Sequence, residues 1–148
     1  MDSKEFKTVF GEVAKANDFK KAFGGWYKES PECIAILELQ KSNFGDYYQL
    51  LIKIFIQGVF ERTYIPSKDL IKSSMGHITT NETPEYKAVF DFDEPMDDDI
   101  RKERLEELFK NHIVPFTNKT LIKSGIRELA EKGEIFLLPA VKAELLLG

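Results

Sequence analysis

The chain has 148 residues, of which 43% are hydrophobic, and a formal net charge of −4 at pH 7. This length and apolar content suit one domain, predicted to span residues 1–148, whose core needs no metal ion or disulfide for support. No long stretch of the chain is strongly basic, which argues against a nucleic-acid-binding protein, because such proteins neutralise phosphates with clustered Lys and Arg side chains.

The first predicted element is an amphipathic helix. Ser3 suits its N-cap, and Asn17 suits its end. The apolar residues between them recur at the spacing of one helix face: Phe6, Val9, Phe10 and Val13. A loop over residues 18–25 and a short strand over residues 26–29 are expected to follow.

A long β-hairpin is predicted next and forms the centre of the chain. Two apolar runs, residues 33–42 and 47–57, flank residues 43–46, which have the composition of a turn. When the most apolar row of each strand faces the core, the numbers of paired residues sum to 89. Leu37 then lies opposite Ile52, and residues 43–46 form a four-residue loop.

The outer face of this hairpin is the first candidate binding surface. Four polar residues lie on it: Glu38, Gln40, Gln49 and Lys53. Four apolar residues lie between them: Ile34, Ile36, Leu51 and Phe55. Such a face is either an ordinary solvated sheet face, with Glu38 and Lys53 as a cross-strand pair, or a surface for a protein partner or a second copy of the chain.

A small-molecule pocket is the alternative candidate. Trp26 and Tyr27 follow two glycines, and we expect them to lie near Tyr47 and Gln40. Aromatic side chains of this kind either cover a ligand or fill the rim of the core. A pocket at this position would indicate a ligand-binding protein or an enzyme.

The second half of the chain is predicted to add short strands and then helices. After a helix over residues 66–72, two strands are expected over residues 75–81 and 86–93. Helices then follow over residues 97–113, 124–132 and 139–147, the first of them ending because of Pro115. This order predicts an α+β fold, an antiparallel sheet built on the long central hairpin with the N-terminal helix and C-terminal helices packed against it.

Candidate catalytic and metal-binding residues are few. The acidic run over residues 91–99 offers oxygen ligands for Ca²⁺ or Mg²⁺ but lacks the EF-hand spacing, and its simpler interpretation is the acidic start of a helix. Cys33 and His77 form a nucleophile pair only if their strands are neighbours. No phosphate-binding loop, dinucleotide fingerprint or hydrolase motif occurs. We therefore expect no metal site, no cofactor, and a binding protein rather than an enzyme.

The sequence also predicts the compartment. It has one cysteine, no signal-peptide pattern, and no apolar run near the length of about 20 residues that crosses a bilayer. These features predict a cytoplasmic protein without a membrane span.

Three strings carry a family resemblance: GWYKE at 25–29, LELQKSNFGDYY at 37–48 and IVPF at 113–116. With them the chain resembles a family of small bacterial proteins classed only as a domain of unknown function, from Phe6 to the final helix. The resemblance implies a stand-alone bacterial cytosolic α+β protein and supplies no activity, cofactor or catalytic residue. Some small bacterial families of this kind act as toxin-neutralising partners, which adds a third functional expectation.

Overall fold

Antiparallel strands form one five-stranded sheet in the computed structural model, which describes residues 1–147. In chain order and in sheet order the strands are Lys20–Ala22 (β1), Gly25–Glu29 (β2), Cys33–Lys41 (β3), Tyr48–Ile56 (β4) and Ile78–Asn81 (β5). The described α-helices are Ser3–Ala16 (α1), Lys68–Lys72 (α2), Asp98–Leu108 (α3), Val114–Thr120 (α4), Lys123–Glu131 (α5) and Pro139–Leu147 (α6). The predicted α+β fold is confirmed.

The central hairpin has the predicted register. Leu37 pairs with Ile52, and Leu39 pairs with Leu50. The N–H of Ser42 donates to the carbonyl of Tyr47 at 3.0 Å, which leaves residues 43–46 as the loop. A slip of one residue would move one apolar row out of the core, so the apolar pattern fixes this pairing.

The inner face of the sheet lies under α1 and the C-terminal helices and forms the main core. Aromatic side chains meet there at close range: the Phe10 ring lies 4.9 Å from Trp26 and 5.2 Å from Phe109, centroid to centroid. Phe6 packs edge-on against Phe90 at 5.4 Å. These contacts place α1 across the sheet, as its apolar stripe predicts.

The outer face of the hairpin is covered by the chain itself over residues 58–76, here called the covering segment. Ile34, Ile36 and Phe55 form a second apolar cluster with Ile71 of α2, and all four are buried. Leu51 is buried as well. The expectation of an exposed apolar face for a partner or a second copy is therefore wrong at these residues.

Two other elements differ from the sequence prediction. Residues 86–93 are not a strand, because a 3₁₀ helix spans Pro84–Phe90 and buries Tyr86, Val89 and Phe90. The chain also does not stop being helical before Pro115. A π-helical turn, Phe109–Ile113, joins α3 to α4 without a break, and Pro115, which has no N–H for a regular α-helical hydrogen bond, follows this wider turn directly.

Candidate ligand-binding groove

The structure does not bring the predicted binding residues together. Trp26 pairs with Leu37 on the inner face of the sheet, whereas Gln40 and Gln49 pair with each other on the outer face, both exposed. Tyr47 lies at the end of the hairpin in an isolated bridge to Asp91. Of this group, Trp26 alone lines a large groove.

Lys53 and Glu38 lie at the boundary between the outer face and the covering segment. The Lys53 ammonium is fully buried and donates to Glu38 Oε1 at 2.9 Å, the carbonyl of Ile71 at 2.6 Å and that of Ser73 at 2.8 Å. An ammonium has three N–H donors, so all of them are used inside the fold. The pair attaches the covering segment to the sheet.

A groove of about 670 Å³ lies between α1 and the β1–β2 end of the sheet. Five lysines line it: Lys4, Lys7, Lys15, Lys20 and Lys21. Its floor is formed by Phe19 and Trp26, both almost completely buried. Small-molecule sites commonly have volumes of about 300–1,000 Å³ and an apolar lining with a few placed polar groups, so the groove has the size and composition of a ligand site.

The sequence places these lysines by two local features. Lys4 and Lys7 lie three residues apart on α1, and Lys15 lies eleven residues after Lys4, which puts the three lysines along one side of the helix. After α1, Asp18 adopts a left-handed conformation with φ of 71° and turns the chain back into β1. The edge strand β1 then presents Lys20 and Lys21 beside the helix. The sequence prediction treated residues 18–25 as a loop and therefore missed this strand.

Gly11 brings α1 close to the floor of the groove. A Cβ atom at this position would lie 3.2 Å from Nε1 of Trp26 and 3.3 Å from Cζ2, closer than side chains normally pack. In the described part of the chain, the indole N–H of Trp26 donates to no protein atom. It is a hydrogen-bond donor on the floor of the groove that a bound molecule can use.

The groove lysines are not neutralised by the protein. All the ion pairs among the described residues involve other groups, and Glu12 is the one carboxylate that lines the groove. A sixth lysine, Lys28, holds its ammonium 4.4 Å from the ring centre of Phe19, and burial lowers its pKa. The groove is thus a concentrated positive site on a protein whose net charge is −4.

The residues considered for nucleophilic catalysis are separated and unreactive. Cys33 belongs to the inner core, and burial raises its pKa to about 12. His77 lies against the outer-face ring of Phe55, at 5.2 Å between ring centroids, and its Nδ1 accepts the N–H of Ile56. Burial lowers the pKa of His77 to about 4. The two side chains lie on opposite faces and do not form a nucleophile pair.

Within residues 1–147, no three side chains of His, Cys, Asp or Glu lie close enough together to hold a metal ion. No helix among these residues combines the length and the apolar character needed to cross a lipid bilayer.

Comparison with known proteins gives the family. No curated protein matches the chain, and no solved structure matches it. A family model described as a domain of unknown function matches residues 10–119, a range that contains the three strings on which the resemblance rests, all five strands of the sheet and α3. The chain therefore belongs to the family described as Domain of unknown function (DUF4304).

Proposed function

We propose that this is a non-enzymatic binding protein that holds a small organic anion in the lysine-lined groove between α1 and β1. The observation that carries the proposal is the set of five groove lysines without ion-pair partners, arranged around an aromatic floor. The groove replaces the outer sheet face as the binding surface, because the covering segment already occupies the apolar part of that face.

The chemistry of the groove favours a ligand with two parts. Clustered ammonium groups repel one another, and an anion with two or more charges relieves that repulsion. Most of the exposed lining of the groove is apolar, with the edges of Phe19 and Trp26 at its base, and the Trp26 N–H offers a hydrogen bond. A phosphate or carboxylate group on an apolar or aromatic body matches both parts.

Calorimetric titration with phenyl phosphate tests this proposal. Inorganic phosphate and phenol are the matched probes, because each keeps one half of the phenyl phosphate molecule. We expect phenyl phosphate to bind more tightly than either probe, since it uses both the lysines and the apolar floor.

Charge-reversal variants locate the binding. The double variant Lys7→Glu with Lys20→Glu reverses the charge on both walls of the groove, and we expect it to weaken phenyl phosphate binding by about tenfold or more. The control is Lys68→Glu with Lys142→Glu, which makes the same charge change at exposed sites outside the groove. Equal weakening in the two double variants would show a general charge effect and reject the groove as the site.

A further inference from the structure

A second, smaller cavity lies at the other edge of the sheet and takes no part in the lysine groove. Its volume is about 260 Å³, and it lies between β5 with its following turn and the C-terminal helices. Its apolar wall includes Ile52, Phe116 and Leu129. Its polar groups come from six residues: Thr80, Asn81, Glu82, Thr83, His112 and Glu134.

Two features set this cavity apart from an ordinary packing gap. The Thr83 hydroxyl oxygen is buried and has no hydrogen-bond partner in the described structure, which is unusual for a buried polar atom. The π-helical turn Phe109–Ile113 supplies His112 and Ile113 to the wall. π-Helical turns occur frequently at functional sites.

The carboxylates that line the cavity are its charged groups. Among the described residues, Glu82 and Glu134 line it, and no lysine or arginine does. One carboxylate oxygen of Glu82 accepts the N–H of Leu50 at 2.9 Å, and the carboxylate also accepts the backbone N–H of its own residue. Burial raises the pKa of Glu82, and the backbone hydrogen bonds from Glu82 and Leu50, together with the charge of Lys87 outside the cavity, only partly oppose that effect. A cation inside the cavity would stabilise the ionised carboxylate.

We infer that this cavity binds a small organic amine. The ammonium group donates to the carboxylate of Glu82, whose oxygens can each accept more than one hydrogen bond, and to the hydroxyl oxygen of Thr83. The apolar body of the amine packs against Ile52, Phe116 and Leu129. The volume lies just below the range of about 300–1,000 Å³ for drug-sized ligands, which limits the ligand to a single ring or a short alkyl chain.

The test is a titration of the ¹⁵N-labelled protein with benzylamine, followed by amide chemical shifts. Benzyl alcohol and benzoate are the neutral and anionic probes of similar shape. We expect benzylamine to bind with a Kd of about 1 mM, a value typical of so small a ligand, and to shift the amides of Glu82, Thr83 and His112. Benzyl alcohol should bind about tenfold more weakly, because it lacks the charge-assisted hydrogen bond.

Two variants make the outcome decisive. Glu82→Gln keeps an acceptor for Leu50 but removes the charge, and we expect benzylamine to bind it about tenfold more weakly, whereas the nearby exposed Glu85→Gln control should bind normally. Thr83→Val removes the unpartnered hydroxyl without opening a gap, so it should fold well and still lose several-fold in affinity for benzylamine.

Wild-type affinity for benzylamine in both Glu82→Gln and Thr83→Val, or equal binding of benzyl alcohol and benzylamine, would overturn the inference. Phenyl phosphate binding in the groove should be unchanged by either variant.

Discussion

At the residue scale, His77 is the clearest example of a titratable side chain with a structural role. It is packed among Phe55, Phe60 and Tyr64, and its Nδ1 accepts a backbone N–H, so the fold requires the neutral imidazole. Burial lowers its pKa from the ordinary value of 6.5 to about 4. Protonation of Nδ1 would remove the atom that accepts the Ile56 N–H.

The pKa shift of His77 predicts a loss of stability in mild acid. Below about pH 6.5 the unfolded chain binds a proton at His77 that the folded chain excludes until about pH 4, so the free energy of unfolding falls across that interval. Allowing for the partial exposure of the ring, we expect a loss of about 1 kcal/mol between about pH 7.5 and about pH 5. Urea unfolding at the two pH values measures it.

His77→Asn is the matched variant, because the Asn side-chain oxygen can accept the Ile56 N–H and does not titrate. It loses ring packing at both pH values, so the difference between the two pH values isolates the titration. If His77→Asn keeps the full pH dependence of the wild type, the loss comes from other groups and the account of His77 is wrong.

The residue scale also separates what the sequence predicts well from what it predicts poorly. Leu37, Leu39, Leu50 and Ile52 belong to the more apolar of the two alternating rows of their strands, and that period of two is a local signal, so the register follows from it. Lys53 lies in the same strand and was predicted on an outer face. Its burial depends on carbonyls of Ile71 and Ser73, about twenty residues away along the chain, and no local pattern indicates such contacts.

At the scale of elements, the covering segment is the part of the fold held most clearly by polar contacts. Lys53 forms hydrogen bonds to two of its carbonyls, and the Gln57 side chain both donates to and accepts from the Tyr64 backbone, at 2.8 and 2.6 Å. Ile71 adds the apolar contact with Ile34, Ile36 and Phe55. These contacts hold the covering segment against the outer face of the sheet.

Replacing Lys53 tests the role of this attachment. Lys53→Met leaves Glu38 and two carbonyls without their donor, and breaking a buried pair in this way typically costs about 3–5 kcal/mol. We expect the lower end of that range, because Glu38 is partly exposed. Hydrogen exchange should also speed up at the α2 amides, and chemical denaturation measures the loss.

Glu38→Gln is the milder comparison, since Gln still accepts from Lys53, and it should cost about 1 kcal/mol. A Lys53→Met variant that unfolds like the wild type and keeps slow exchange in α2 would show that apolar contacts alone hold the covering segment.

The 3₁₀ helix Pro84–Phe90 shows how a local pattern misleads. Tyr86, Ala88, Phe90 and Phe92 alternate as in a strand, yet the chain forms a 3₁₀ helix whose buried residues are Tyr86, Val89 and Phe90. Pro84 at the start of this helix favours that conformation. An alternating apolar pattern is also compatible with a short helix when one of its apolar residues is small enough to face solvent. Ala88 is that residue here, and it is exposed.

At the scale of the whole molecule, the fold separates charges that the sequence mixes. The first 30 residues contain six lysines and five carboxylates, which appear balanced along the chain. In three dimensions five of those lysines line the groove, the sixth lies over Phe19, and one carboxylate, Glu12, joins them. The net charge of this segment therefore gave no indication of the groove. The spacing of Lys4, Lys7 and Lys15 was a partial indication, because it puts them on one side of a helix.

This separation gives the molecule two cavities of opposite charge at opposite edges of the sheet. The lysine groove lies beside β1, and the cavity with Glu82 and Glu134 lies beside β5. Edge strands expose backbone groups and accommodate clefts more readily than central strands do. The central hairpin, whose outer face is covered except near its loop end, lies between them.

The most direct test of the central claim is the fluorescence of Trp26 during titration with phenyl phosphate. Trp26 is the one tryptophan in the sequence and lies on the groove floor, so its emission reports on the groove itself. We predict a saturable change with phenyl phosphate, an apparent Kd that rises with salt because the lysines are solvent-accessible, and little change with phenol. Binding of phenyl phosphate by calorimetry without any change in Trp26 emission, or a response equal to that of phenol, would contradict the account.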